Sequence, residues 1–453
     1  MIHFGLEGYL PLLLYIGMWA TFLASVVWRP SLGIYLMVLA LPLQTGRYKL
    51  QDFPLGSQFI DILLLGTILG LLVKGQSIFP RSNLNRFLLL FAVFCYLSLW
   101  SGAYFIWAPL PLWISDPRFS AWKNYVEMFL FALIVASAIR EKHQVKLLLL
   151  FMCLSVLLVN RGFFSTLSTR DLSHFSYQVR DAGPLGYAGV NGLAAFEAMF
   201  ISFLLGIYAF SKKWSVKGGI LLLIATCGYC LLFSFSRGGY LGFLVGLVTI
   251  GLLKTRWFLV AAAVLVLGWQ TLLPVSVQER ITMTTEDAAE GQQFDDSAQE
   301  RLVLWEDAMN LFKRNPVTGT GFETYEFMGR VGGFRDTHNY YVKVLAETGI
   351  VGMFLYLLLL WKFFRSAATL YFSGDDEFWR AIGLGFIALL TSILVMNFFG
   401  DRWTYQQADG YLWVLLGCVI RGLMVTQQEQ DTSEAVADGE RLPPPEEAGL
   451  ATV

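Results

Sequence analysis

Charged residues are scarce in this sequence. Asp, Glu, Lys and Arg make up 15% of the 453 residues, whereas hydrophobic residues make up 56%, and the mean hydropathy is +0.56. Soluble domains carry about 25% charged residues, so the composition excludes a soluble fold and indicates a membrane protein. The net charge of -1 also lacks the basic surplus that nucleic-acid binding needs, and no nucleic-acid partner is expected.

Cysteine and histidine are also rare. The five cysteines all lie within apolar stretches, which argues against a disulfide framework, and Cys227 and Cys230 are interpreted as small packing residues of one spanning helix. Only four histidines occur. One of them, His338, lies where a polar segment re-enters the membrane, and an ionisable group in that position is a candidate functional residue.

Apolar runs long enough to cross about 30 Å of hydrocarbon recur along the chain. They predict an all-α polytopic membrane protein of about thirteen transmembrane helices, at residues 8–27, 31–44, 57–73, 87–108, 119–139, 144–160, 188–210, 217–235, 238–253, 257–274, 341–363, 379–400 and 409–424. Lys and Arg concentrate in alternate short connections, which predicts that these are cytoplasmic and the remaining connections are extracytoplasmic.

Three regions follow from this pattern. Residues 1–187 form N-terminal transmembrane helices, and residues 188–424 form a transmembrane core that contains one large extracytoplasmic loop at 275–340. Residues 425–453 are acidic, contain proline and are poor in large apolar side chains, so we expect a disordered cytoplasmic tail.

The large loop contains one amphipathic segment. Ser297 and Glu300 form a capping-box pattern, and apolar residues at helical spacing follow before Pro316, so a helix is predicted there. Arg301 and Trp305 lie one turn apart on it, either as a cation–ring pair or with the arginine directed at a membrane cavity. Acidic residues early in the loop have no regular metal-ligand spacing, so a solvated segment without a metal is expected.

The end of the loop offers a base. His338 follows Asp336 and Thr337, either of which can cap the helix that is predicted to begin there. The positive end of the helix dipole disfavours a charged imidazole, so we expect a neutral ring that can accept a proton. The same helix end, with Arg335 nearby, is suited to binding an anion. The alternative is an ordinary solvated histidine at the membrane interface.

Arginine is more frequent than expected in the connections predicted to be extracytoplasmic. These residues are Arg47, Arg118, Arg161, Arg170, Arg180, Arg237, Arg301, Arg330, Arg335 and Arg402. Arg161 and Arg237 lie at the ends of spans, where a guanidinium needs an anionic partner and its fork matches phosphate oxygens. A phosphate-bearing lipid ligand would explain this distribution. Glu197, about two turns inside a span, is expected to pair with an arginine of another helix or to take part in catalysis.

Several short motifs together resemble the O-antigen ligase and polymerase superfamily. They are Ser236-Arg237-Gly238-Gly239 at a helix–helix turn, Arg301 with Trp305, Gly319-x-Gly321, His338-Asn339 and Ala346-Glu347-Thr348-Gly349, within residues 188–400. The N-terminal third is similar to this superfamily only in hydropathy and layout, in the manner of the O-glycosylation ligases associated with exosortase systems.

The resemblance implies a GT-C type glycosyltransferase of the bacterial inner membrane, with its site facing the periplasm. It would move a glycan from undecaprenyl diphosphate to an acceptor hydroxyl without a metal or other cofactor. In this family the histidine that matches His338 is held to activate the acceptor, and arginines that match Arg237 and Arg301 are held to engage the diphosphate. Placement in the sequence adds further candidates: Arg161 and Arg335 for the diphosphate, and Glu197, Asn339 and Trp305 in support.

Three functions remain open at this point. A ligase would pass a lipid-linked glycan to a lipid, protein or glycan acceptor, and it is the preferred interpretation. A polymerase joining repeat units would use the same residues. A transporter for a lipid-linked glycan would be expected to show paired halves with broken helices at matching places, and the sequence shows no such repeat.

Overall fold

The computed structural model describes residues 9–80, 82–289, 296–331 and 336–437. All regular structure in these residues is helical, so the predicted all-α fold is confirmed. The helices are α1 (Leu10–Val27), α2 (Ser31–Ala40), α3 (Gln44–Tyr48), α4 (Phe59–Val73), α5 (Asn83–Phe105), α6 (Pro117–Ala138), α7 (Lys142–Ser165), α8 (Gly189–Phe210), α9 (Trp214–Leu232), α10 (Arg237–Leu253), α11 (Trp257–Leu267), α12 (Trp269–Leu272), α13 (Val275–Ala289), α14 (Asp296–Arg314), α15 (Thr324–Met328), α16 (Tyr340–Ser373), α17 (Glu377–Met396) and α18 (Gln406–Ala437). Short 3₁₀ turns lie at Gly56–Gln58, Leu167–Thr169, Tyr177–Val179, Gly183–Ala188 and Asn397–Phe399.

The described residues form a multi-pass membrane protein. Ten helical segments are long and apolar enough to cross a membrane, and they contain α1, α4 to α9, and α16 to α18. The apolar helices α2, α10 and α11 are shorter, at 10, 17 and 11 residues. Each predicted span therefore falls on an apolar helix, and membrane crossing by the three shorter helices stays a prediction.

Small residues let three central helices approach closely. A Cβ atom on Gly206 of α8 would lie 2.4 Å from the Cα of Gly385 in α17, and one on Gly246 of α10 would lie 2.0 Å from the Oγ of Ser202 in α8. Helices in membranes associate through small residues at such crossings, because lipid gives little hydrophobic reason for them to pair. This packing brings together the beginnings of α8 and α10 and the end of α17.

One end of the bundle, called the loop face below, collects the connections predicted to be extracytoplasmic. It consists of residues 43–58, 106–116, 166–188, 233–236, 397–405 and the described parts of 273–339. Arg180 Nε donates to the carbonyl of Ser234 at 3.1 Å, and the amide of Tyr187 donates to Gln44 Oε1 at 2.8 Å. Hydrogen bonds between connections that are distant in sequence therefore tie this face together.

Helix α16 is broken inside the membrane domain, and the segment after α14 satisfies the break. Gly349 has φ +63°, which interrupts the helix. The amide of Gly321 donates to the carbonyl of Glu347 at 2.7 Å, and the amide of Ile350 donates to the carbonyl of Pro316 at 2.9 Å. Backbone groups freed by a helix break need such partners where water is excluded. The contact fixes residues 316–321 on α16.

The two glycines of the Gly319-x-Gly321 motif serve this packing. A Cβ atom on Gly319 would lie 2.3 Å from the carbonyl carbon of Glu347, and one on Gly321 would lie 2.1 Å from the Cα of Gly102 in α5. Both have positive φ values, +66° and +115°, which suit glycine. The motif therefore lets the chain pass between α5 and α16.

The C-terminal prediction needs one correction. Helix α18 continues to Ala437, so residues 425–437 are helical and not part of a disordered tail. The stretch contains Gln427, Gln428 and Glu429, residue types with good helix propensity, which explains how a polar segment extends the helix. Residues 438–453 lie outside the described residues.

Candidate functional site

A cavity of about 940 Å³, measured out to its mouth, opens at the loop face. Five arginines line it: Arg180, Arg237, Arg280, Arg301 and Arg402. The other lining residues are Asn191, Phe235, Ser236, Gly238, Gly239, Met396 and Phe399. No Asp or Glu is among the described residues that line it. A cavity of this composition is suited to a strongly anionic ligand.

The turn between α9 and α10 places Arg237. Phe235, which is fully buried, has φ +53°, and this left-handed residue reverses the chain before α10 begins at Arg237. A Cβ atom on Gly239 would lie 2.8 Å from the Cβ of Ala194 in α8, so the glycines after Arg237 allow α10 to begin against α8. The start of α10 therefore lies at the cavity, where the backbone N–H groups of a helix N-terminus favour an anion.

Arg180 is held by Asn191 of α8 and by the turn between α9 and α10. Its Nη2 donates to Asn191 Oδ1 at 2.8 Å, and Ser236 Oγ donates to the same oxygen at 2.9 Å. Burial lowers the pKa of Arg180 to about 10, and the positive charges of Arg280 and Arg402 act in the same direction. The arginines therefore repel one another, and a bound anion would relieve that repulsion.

Arg280 of α13 packs against two aromatic rings that contact each other edge to face. Its guanidinium carbon is 4.8 Å from the ring centroid of Phe175 and 5.2 Å from that of Tyr177. Nη1 donates to the hydroxyl of Tyr177 at 3.3 Å, and Nε donates to the carbonyl of Phe235 at 3.4 Å. Only 4% of the residue is exposed. The ring contacts and the two hydrogen bonds hold the guanidinium in one position, which lysine could not reproduce.

Arg402 lies after α17, in the connection to α18. Its amide donates to Asn397 Oδ1 at 2.9 Å, and its Nη1 donates to the carbonyl of Asp401 at 3.1 Å. A Cβ atom on Gly400 would lie 2.4 Å from Arg402 Nη2, so a residue without a side chain is needed there. Burial lowers the pKa of Arg402, while the nearby charges of Asp336 and Asp401 oppose that shift.

The helix predicted before Pro316 is confirmed as α14. It brings Arg301 to the cavity. The side chain of Ser297, on which the capping-box pattern depends, lies outside what the structure describes. Trp305 Nε1 donates to the carbonyl of Thr337 at 3.0 Å. This bond fixes α14 over the segment that precedes α16, one residue before His338.

The segment around His338 departs from the prediction. Helix α16 begins at Tyr340, and its cap is Asn339, whose Oδ1 accepts from the amides of Tyr341 and Val342 at 3.1 and 3.3 Å. The prediction that Asp336 or Thr337 caps this helix is therefore wrong. The reason is local: His338 takes a left-handed conformation, with φ +52°, and so precedes the cap instead of joining the first helical turn.

The imidazole of His338 adjoins a carboxylate. Its Nδ1 lies 3.4 Å from Asp336 Oδ2, and 37% of the histidine side chain is exposed. The same Oδ2 accepts from the amide of Asp401 at 3.4 Å. Burial raises the pKa of Asp336, but the hydrogen bond to His338 and the charges of Lys343, His338 and Arg402 outweigh it and lower the pKa to about 2. His338 is thus linked to the connection that carries Arg402.

Only some of the predicted site residues line the arginine cavity. Arg237 and Arg301 line one cavity, while His338 is not among its lining residues. Arg161 lies on α7 with its side chain exposed and is not a lining residue either. Arg335 lies outside the described residues.

Glu197 is fully buried in α8. With the amide of Asn160 in α7 oriented so that its nitrogen faces the carboxylate, that nitrogen donates to Glu197 Oε1 at 2.7 Å. Glu197 Oε1 therefore contacts an amide, and this oxygen does not form the predicted ion pair with an arginine. Asn339 and Trp305 act on the backbone around His338.

Three cavity arginines, Arg180, Arg280 and Arg402, did not enter the predicted site. Arg180 and Arg402 belong to the excess of arginine in the loop-face connections. The amides that hold them, Asn191 and Asn397, lie within predicted spans. For Arg280 the signal is its position on the buried side of α13, three residues after the fully buried Val277. Among the described residues no group of three or more His, Cys, Asp or Glu side chains is arranged to hold a metal ion.

Comparison with known families agrees with the sequence resemblance. Residues 220–357 match the family model described as O-antigen ligase. This segment is therefore similar to O-antigen ligases. No curated protein matches it significantly. The matched residues include Arg237, Arg280, Arg301 and His338, whereas Arg180 and Arg402 lie outside the match.

Proposed function

We propose that the protein is a glycan ligase of the bacterial inner membrane that transfers a glycan from undecaprenyl diphosphate to an acceptor hydroxyl at the periplasmic surface. The observation that carries the proposal is the convergence of five arginines from separate stretches of the chain on one cavity at the loop face. The O-antigen ligase domain match supports the same reaction class. The all-helical membrane domain with a site at one end is consistent with a GT-C type enzyme.

In this proposal the arginines bind the donor diphosphate. Guanidinium groups pair with phosphate oxygens through two parallel hydrogen bonds, and the N-terminus of α10 adds backbone donors. Arg180 and Arg280 are fixed before any ligand arrives, by Asn191 and by the rings of Phe175 and Tyr177. Preorganised positive charge stabilises the negative charge that builds on the leaving diphosphate, so the proposed step requires no metal ion.

His338 is the proposed base. The acceptor oxygen attacks the anomeric carbon of the first sugar, the bond from that carbon to the diphosphate oxygen breaks, and the diphosphate leaves with the electron pair. The acceptor proton passes to the imidazole. Because Nδ1 faces Asp336, the proposal assigns the acceptor proton to Nε2. General-base catalysis of this kind contributes on the order of 10² to 10⁴ in rate.

The proposed orientation places the loop face in the periplasm. Lys142 and Lys212 lie at the opposite end of the bundle, where Lys212 pairs with Glu377 at 2.8 Å. Basic residues are retained on the cytoplasmic side of bacterial membrane proteins. Lipid-linked glycans would then be used on the side where surface glycans are assembled.

Deleting the protein and separating the cell's surface glycans on a gel tests the proposed reaction. A ligase predicts that complete polymer accumulates on the lipid carrier and is missing from its acceptor. Accumulation of single repeat units would instead indicate the polymerase reaction. Unchanged surface glycans and an unchanged pool of lipid-linked glycan would contradict both.

His338→Ala tests the role of the base in the complemented deletion strain. We expect transfer to be lost while the protein level is unchanged and the lipid-linked donor is unchanged or increased. His143→Ala is the matched control, because His143 is an exposed histidine at the start of α7, at the opposite end of the bundle, with 68% of its side chain accessible. Full activity of the His338 variant would remove this residue from the mechanism.

A further inference from the structure

Asp336 lies between two parts of the proposed site. On one side its Oδ2 is 3.4 Å from Nδ1 of His338. On the other side the same oxygen accepts from the amide of Asp401, the residue before Arg402. Only 18% of the Asp336 side chain is exposed. This carboxylate therefore contacts both the histidine and the backbone that positions one of the cavity arginines.

The surroundings keep Asp336 ionised and in place. Among the described residues, Lys343 and Arg402 are cations whose charges act on Asp336, and Tyr325 and Tyr405 are further titratable groups near it. Together with the hydrogen bond to His338, the two cations overcome the effect of burial, which by itself would favour the neutral acid.

A buried ion-pair network fixes the connection that contacts Asp336. Lys343 Nζ lies 3.0 Å from Glu323 Oε1 and 3.2 Å from Asp401 Oδ2. Lys343, Glu323 and Asp401 are 7%, 6% and 1% exposed. The network joins α16, the turn before α15 and the connection after α17, so the amide of Asp401 has a fixed position relative to α16.

We infer that Asp336 is a positioning residue for the proposed base: it holds the Nδ1 side of the His338 ring and thereby turns Nε2 towards the acceptor hydroxyl. A carboxylate in this arrangement fixes the tautomer and orientation of an imidazole and stabilises the imidazolium that forms when the ring takes a proton. The backbone of His338 is left-handed, a conformation that residues with a side chain rarely adopt, and the contact with Asp336 helps to hold the residue in it. The inference rests on the proposed function.

Asp336→Asn tests the inference, since the amide keeps the size of the side chain and an oxygen for the amide of Asp401 but removes the charge. With the purified full-length protein in liposomes, we expect kcat to fall about 10- to 100-fold, as for loss of a side chain that orients a reacting group. The KM for the lipid-linked donor should stay the same or decrease, because Arg402 loses a neighbouring negative charge. The acid side of the pH–rate profile should move to lower pH, because the charged ring is less favoured without the carboxylate.

Asp171→Asn is the matched control. Asp171 is an exposed aspartate of the loop face whose Oδ1 bonds to Ser173, and its replacement should leave kcat and the pH profile unchanged. A wild-type kcat and pH profile for Asp336→Asn would overturn the inference. So would a fall in kcat that is matched by a rise in donor KM and a lower melting temperature with an unchanged pH profile, because that result indicates a structural role.

The two variants test His338 and Asp336 separately. If His338→Ala is inactive and Asp336→Asn behaves as wild type, the inference about Asp336 fails and the proposed base stands. If His338→Ala is active, His338 is not the base, and the proposed function fails in that part.

Discussion

Removing Arg280 should weaken donor binding more than it weakens the fold. Only 4% of Arg280 is exposed, and its guanidinium packs against the rings of Phe175 and Tyr177. A hydrogen bond to a charged group contributes about 1.5–3 kcal/mol, and each 1.4 kcal/mol is a factor of ten. We therefore expect Arg280→Ala to raise the donor KM about 10- to 150-fold, provided that this arginine contacts the diphosphate.

Arg280→Lys separates charge from geometry. A lysine keeps the positive charge, but its compact ammonium cannot make the guanidinium's hydrogen bonds to Tyr177 and Phe235 and also offer two parallel hydrogen bonds to a phosphate, so the donor KM should still rise at least about tenfold. Arg330→Lys is the control: Arg330 is an arginine of the same face that pairs with Asp307 at 2.8 Å and does not line the cavity. Its donor KM should be that of the wild type.

The assay is the initial rate of glycan transfer in proteoliposomes as a function of donor concentration, with thermal unfolding measured on the same preparations. A wild-type donor KM for Arg280→Ala, together with a lower melting temperature, would refute the reasoning. Arg280 would then serve only to join α13 to the connection that carries Phe175.

Other substitutions probe different parts of the site. Arg237→Lys should be nearly as damaging to donor KM as Arg237→Ala, since a point charge does not reproduce bidentate phosphate contact. Gly400→Ala should raise the donor KM, because the added Cβ would lie 2.4 Å from Nη2 of Arg402 and displace it. The amide of residue 175 donates to Glu279, which also pairs with the exposed His174. This amide should be protected from hydrogen exchange most strongly between pH 4.5 and 6.5, the ordinary pKa values of Glu279 and His174.

The sign of the pH effect follows from the two shifts. The hydrogen bond with Glu279 raises the pKa of His174, so its contribution is complete below pH 6.5 and is lost as the pH rises through the raised value. The backbone bond from Phe175 and the bond with His174 lower the pKa of Glu279, so its contribution is present above pH 4.5 and is lost as the pH falls. His174→Gln should remove the alkaline change, and an unaltered profile would contradict this pairing.

Controls and contrary outcomes are available for the other two variants. Gly46→Ala in α3 adds a methyl group to open space and should leave the donor KM unchanged. A wild-type KM for Gly400→Ala would show that Arg402 can move without loss of binding. A wild-type donor affinity for Arg237→Lys would argue for a purely positional arginine.

The helices were predictable because hydrophobic length and helical periodicity are local properties. The thirteen apolar segments fall on helices, and the spacing before Pro316 correctly indicates α14. The break in α16 was not predicted. Gly349 belongs to a recognised motif, but its φ of +63° depends on residues 316–321 supplying hydrogen bonds from another part of the chain.

The site was less predictable than the fold, because its members come from distant stretches. Arg180, Arg280 and Arg402 belong to three different connections, and only the packing of α8, α10 and α17 shows that they line one cavity. The prediction of the cap of α16 was wrong for a different reason. Asp336, Thr337 and Asn339 are all good capping residues, and the left-handed turn at His338 decides in favour of Asn339.

Equilibrium binding of undecaprenyl diphosphate to purified full-length variants in detergent tests the central claim most directly, because it separates donor binding from transfer. The account predicts that His338→Ala binds the lipid with wild-type affinity although it transfers no glycan, and that Arg237→Ala binds it at least about tenfold more weakly, as expected for loss of a charge-assisted bond. Wild-type affinity in a correctly folded Arg237→Ala protein would contradict the assignment of the arginine cavity to the donor diphosphate.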